Sequence, residues 1–151
     1  MKISKEVINK AVGVKESSWL ISELELYDID GETEEELRTQ VIEHIIEYLE
    51  DVSKIVVEVA HPENITSMEE SACFAEEDMQ EVDLLFRDVH YLLRKAQRIR
   101  YLQNKEELSS YLLEFETNWK EHKKTFITML SKLENCWKEK KSMQKTGAYF
   151  I

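Results

Sequence analysis

An all-α antiparallel bundle of three long helices, with a short helical N-terminal segment, is the fold class this sequence predicts. Three observations carry the prediction. From Thr33 onward apolar residues recur at alternating spacings of three and four, the period of a helix face. Three glycines and one proline in 151 residues leave too little punctuation for the many turns of a sandwich or barrel. Where the seams begin, pairs of residues suited to capping a helix stand in front of them. At this length one domain with its own core is expected over residues 1–151.

The N-terminal segment, residues 1–32, carries two short apolar patterns. Ile3, Val7, Ile8, Ala11 and Val12 predict an amphipathic helix that stops near Gly13, and Trp19, Leu20, Leu24 and Tyr27 predict a second. The run ELELYDID also alternates as a strand would. The first long helix is placed at 33–61, with Val41, Ile45, Tyr48, Val52, Ile55 and Val59 on its seam. Thr33 and Glu36 form its capping pair and Pro62 ends it, because the residue before a proline is pushed away from helical angles. Its IVVEV run has β propensity yet stays in phase with the helical seam.

The second long helix is placed at 67–103, opening on Ser67 and Glu70, with Met68, Ala72, Ala75, Met79, Val82, Phe86, Val89, Leu93 and Ala96 on its seam. The third is placed at 105–141, opening on Asn104 and Glu107, with Leu108, Leu112, Phe115, Trp119, His122, Phe126, Met129, Leu133 and Cys136. The two seams differ in phase by an amount that neither a three- nor a four-residue insertion produces, and Arg100 and Gln103 would be the next seam members. A turn near Asn104 is therefore predicted, and short connections make neighbouring helices antiparallel.

Charge is unevenly distributed along a chain whose net charge is -11: +3 over residues 1–15, -20 over 16–90 and +6 over 91–151. The cationic stretch HYLLRKAQRIRYLQNK raises the question of nucleic acid. Antiparallel folding brings Arg94, Lys95, Arg98 and Arg100 beside Glu34, Glu35 and Glu36 on one side and Glu107 and Glu114 on the other, so counter-charges are expected within the molecule. The same folding sets Glu69, Glu70, Glu76, Glu77, Asp78 and Glu81 against Lys123, Lys124, Lys132 and Lys138. Nucleic acid is not the expected partner.

The opening MKISKEVINKAVGV lacks the continuous apolar run of a signal peptide or membrane span, so a soluble, cytoplasmic protein with no membrane association is expected. Cys73 and Cys136, 63 positions apart and without a C-x-x-C partner, read as reduced, partly buried thiols. A metal-binding bundle needs two Glu-x-x-His pairs, and only Glu58 with His61 has that spacing; His44, His90 and His122 do not. Asp28, Asp30 and Gly31 resemble part of a calcium loop, but its first and last ligand positions fall on Leu26 and Leu37, which cannot coordinate. His122 is the one histidine on a core seam, where it serves packing and register.

The stretch Ser4 to Leu24 resembles a helix-turn-helix with Gly13 at the turn. It departs at Asn9, where that motif takes a small residue, at Ser22, where it takes an apolar one, and at Glu16, Glu23 and Glu25, which repel phosphate. No Gly-rich phosphate loop is present, and nothing in the sequence places a nucleophile beside a base.

The expected function is non-enzymatic, without cofactor or metal: a scaffold, adaptor or inhibitory binding protein that presents an acidic helical surface to a basic partner protein. Glu43, Glu47, Glu50 and Asp51, in the part of the chain whose acids outnumber its cations, are the candidate interaction residues. A homo-oligomer is a further expectation, because Leu113, Leu130 and Trp137 are apolar positions left over by the seams. The alternatives are a helix-turn-helix-like DNA-binding regulator using Lys5, Lys10 and Lys15, and a metal- or ligand-binding bundle.

Overall fold

Three long helices packed antiparallel dominate the computed structural model, which describes residues 4–145. In chain order the elements are α1 (Lys5–Val12), α2 (Ser18–Glu23), α3 (Glu34–Ala60), α4 (Ile65–Ser71), α5 (Glu76–Leu102) and α6 (Lys105–Lys145), and no strand occurs among the described residues. Both β-like runs are therefore resolved otherwise. IVVEV lies inside α3, and ELELYDID, after Glu23 ends α2, is a loop that buries Leu24, Leu26 and Ile29 while Glu25 takes a left-handed φ of 52°. Ile3, assigned above to the first helix, lies outside the described residues.

The chain forms two compact units: residues through Ser53 with Asp88–Lys120, and Lys54–Arg87 with the chain from Glu121 on. The first unit holds the largest fully buried side chains, Trp119, Tyr111 and Phe115, together with Ile8, Ile29, Ile45, Leu49 and Leu92. The second buries Val56, Phe74, Leu85, Met129 and Leu133. Within the helices these residues form one buried stripe each, although Leu85, Leu92 and Tyr111 stand beside the expected seams and Phe86 is only half-buried, and Ile29 and Phe74 join the core from the connections between helices.

Helix ends follow the local chemistry. Gly13, with φ 74°, closes α1, and its N–H donates to the Asn9 carbonyl. Thr33 Oγ1 accepts from the Glu36 N–H at 3.2 Å, but Glu36 Oε2 reaches back to the Glu32 N–H instead of closing the reciprocal pair with Thr33. Asn104 Oδ1 accepts from the Glu107 N–H at 3.0 Å, and Gln103 takes a left-handed φ of 54°, so α5 ends and α6 begins at the turn expected there.

The start of the second long helix differs from the expectation. Asn64, not Ser67, caps the first turn, and Ser67 is its reciprocating third residue. The resulting helix, α4, ends at Ser71, and Ala72, Cys73 and Ala75 face solvent while Phe74 turns inward. Met68, an expected seam residue, is exposed because Ser67 takes the buried position beside it.

Residues 72–75 also carry the clearest correction: Cys73 and Cys136 form a disulfide, with Cα atoms 6.1 Å apart, instead of two free thiols. Separation in sequence says little about distance once α4 and α6 lie side by side in the second unit. The side-by-side placement is seen again where the Trp137 Nε1–H donates to Glu70 Oε2 at 2.9 Å.

Candidate interaction surface

The cationic tract of α5 finds its partners within the first unit. Lys95 Nζ meets Glu114 Oε2 at 3.0 Å, and this carboxylate raises the lysine above its ordinary pKa. Arg98 Nη1 donates to both Glu107 oxygens, at 3.2 and 3.3 Å, and Arg94 donates to Gln97 at 2.9 Å. Arg100 departs from the expected pairing. Its Nη2 lies 2.7 Å from Glu43 Oε1, about two helical turns along α3 from Glu34, Glu35 and Glu36. Glu34 is instead the focus of Lys10, Arg38 and Lys105. In the second unit Lys132 pairs with Asp78, holding that carboxyl below its ordinary pKa.

Of the four acidic residues expected to form an interaction surface, Glu43 is thus tied to α5, whereas Glu47, Glu50 and Asp51 are exposed on α3. Glu43, Glu47 and Glu50 line one wall of an open groove with Ile46; the opposite wall is Gln97, Arg100 and Tyr101 of α5. Asp51 is not among the lining residues. Glu47 and Glu50 have no partner among the described residues. Tyr101 is 81% exposed, and the Arg100 guanidinium lies 5.5 Å from its ring centroid.

Tyr101 and Ile46 are members of this surface that charge counting overlooked. A signal was present for the tyrosine. It is a large aromatic residue off the apolar seam, next to an arginine, in a stretch otherwise explained by ion pairs.

A smaller cleft nearby, lined by Arg38, Ile42, Ile99 and Leu108 among others, offers no free cation, since Arg38 donates to the Ala11 carbonyl and Arg100 to Glu43. Among the described residues no three His, Cys, Asp or Glu side chains converge as metal ligands; His61 packs on Phe86, with ring centroids 4.8 Å apart. Asp30 is bound to α3, where its N–H donates to Gln40 Oε1 at 3.0 Å.

The helix-turn-helix-like stretch has a different local logic. Asn9 fills the space under the turn, with its amide donating to the Lys15 carbonyl at 3.3 Å and its oxygen accepting from the buried Ser17 hydroxyl. Lys5 pairs with Glu16 at 3.0 Å and Lys10 with Glu34 at 3.8 Å, so two of the three lysines considered for phosphate already face carboxylates.

Comparison with protein-family models, with curated proteins and with solved structures found no match for this chain. No helix among the described residues is long and apolar enough to cross a membrane.

Proposed function

We propose that this chain is a non-enzymatic protein-interaction module, a scaffold, adaptor or inhibitory binding protein, whose α3–α5 groove receives a basic segment of a partner protein. The supporting observation is the juxtaposition in one groove of Glu47 and Glu50, unpaired among the described residues, with Ile46 and the exposed Tyr101. Such a surface offers what a cationic helix or strand requires: carboxylates that steer and orient it, and an aromatic face on which an arginine or lysine stem rests. Isolated surface ion pairs contribute only about 0–1 kcal/mol each, so Tyr101 and Ile46 are the affinity-bearing residues and the glutamates set selectivity.

A DNA-binding role through the N-terminal lysines has weaker support, given the carboxylates that Lys5 and Lys10 already face. The Cys73–Cys136 disulfide favours an oxidising compartment over the cytoplasm expected from sequence, since such bonds are rare where glutathione keeps thiols reduced.

Calorimetric titration with an arginine- and lysine-rich peptide tests the groove. Binding is expected to weaken at high salt and to fall roughly tenfold or more in Tyr101→Ala and in Glu47→Lys/Glu50→Lys. Peptide affinity equal in these variants and the parent chain would rule the reading out.

A further inference from the structure

Beyond Lys120, α6 carries a second stripe that lies off its core seam. Ile127, Leu130 and Trp137 follow one another at spacings of three and seven and remain 52%, 36% and 39% exposed. Helical periodicity extends the same arc through Glu134, Lys138 and Lys141, all exposed, and neither lysine has a partner among the described residues. The Trp137 ring is already oriented, because its Nε1–H is held by Glu70. Residues 121–145 contain seven lysines against three glutamates, in a chain whose net charge is -11. This is a cationic helix with an aliphatic and aromatic edge.

Its complement is present in the same sequence. The α3–α5 groove sets exposed Glu47 and Glu50 beside Ile46 and Tyr101. Two copies of this chain repel where acidic face meets acidic face, and they attract where the α6 stripe of one meets the groove of the other. That contact also removes apolar stripe residues from water, which the chain's own helices leave undone.

Resting on the groove reading above, we infer that the groove's partner is a second copy of this chain, which docks the Ile127, Leu130 and Trp137 face of α6 there and brings Lys138 and Lys141 to Glu47 and Glu50. The contact joins two different surfaces, so it is heterologous.

Sedimentation velocity on the full-length chain, at low and high salt and over a concentration series, provides the test. Self-association is expected at low salt, weakened at least tenfold by salt and by either reversal, Glu47→Lys/Glu50→Lys or Lys138→Glu/Lys141→Glu. An equimolar mixture of the two reversed chains is expected to regain it, because the cationic groove of one then faces the anionic helix of the other. A chain that stays monomeric throughout, or an association indifferent to both reversals, overturns the inference. Titrating the arginine- and lysine-rich peptide into the same samples separates the two readings. A monomer that binds peptide through Glu47 and Glu50 retains the groove and loses self-recognition; a monomer that ignores the peptide loses both.

Discussion

The Trp119 indole N–H donates to Tyr48 Oη at 2.8 Å, with the two rings edge to face at a centroid distance of 5.6 Å. The Tyr48 hydroxyl in turn donates to Glu23 Oε1 at 2.6 Å, so a side chain at the end of α2 is fastened to α3 and α6. Tyr48→Phe removes the middle of this chain, while the indole keeps its longer 3.3 Å contact with Glu23. The expected loss is about 1–3 kcal/mol, measured by urea denaturation. Burial, and then the bond to Glu23, push the Tyr48 phenol above its ordinary value of 10.0. The folded state therefore keeps a proton that the unfolded state releases, and this stabilisation is complete below pH 10.0 and declines above it. Tyr48→Phe is expected to lose stability less steeply with rising alkalinity than the parent chain.

Reduction of Cys73–Cys136, or its replacement by two serines, frees a loop closed over 63 positions. Chain entropy places the cost near 4 kcal/mol, read as a lower midpoint in urea with reductant present. Hydrogen exchange is expected to quicken first in α4, which keeps few buried side chains apart from Ser67 and the adjoining Phe74.

Glu16 supplies the cap that Ser17 does not. Its Oε1 accepts from the Ser18 N–H at 2.7 Å at the start of α2. The hydrogen bonds from Ser18, followed by the Lys5 ammonium, lower this carboxyl from 4.5 to about 2. Because the folded-state value is depressed, its contribution is full above pH 4.5 and disappears as the pH falls toward about 2. A carbon-detected NMR titration is expected to find that midpoint, with the Ser18 amide shifting in step. Glu16→Gln is expected to flatten this part of the acid profile.

Gly13→Ala puts a Cβ on a residue with φ 74°, within 3.3 Å of Lys105 Cε. The left-handed conformation costs an alanine about 1–2 kcal/mol, and the neighbouring Ser109 hydroxyl, which donates to the Gly13 carbonyl at 2.7 Å, resists relaxation of the turn. Thermal unfolding of the variant is expected at a correspondingly lower temperature.

The helical architecture was legible because Val41, Ile45, Leu49 and their counterparts repeat at helical intervals, and intervals are a property of sequence. The turn at Asn104 was legible because the seam changed phase there. What escaped was anything decided by which residues meet across helices. Arg100 selects Glu43 over the more strongly acidic start of α3, and Cys73 meets Cys136 from within the break in the helix at 72–75. That break was hidden by Met68, Ala72 and Ala75, which keep apolar spacing without being buried. In the groove the glutamates were visible as charge, whereas Tyr101 gains its meaning from standing opposite Ile46.

The sulfur bridge has a topological consequence for damage. Its covalent ring runs from Cys73 to Cys136 and encloses all of α5 and the exposed junction at Gln103 and Asn104. A protease that nicks the backbone at that junction severs the polypeptide without parting the molecule. The two fragments travel as one species of unchanged mass, save for one added water, until a thiol releases them.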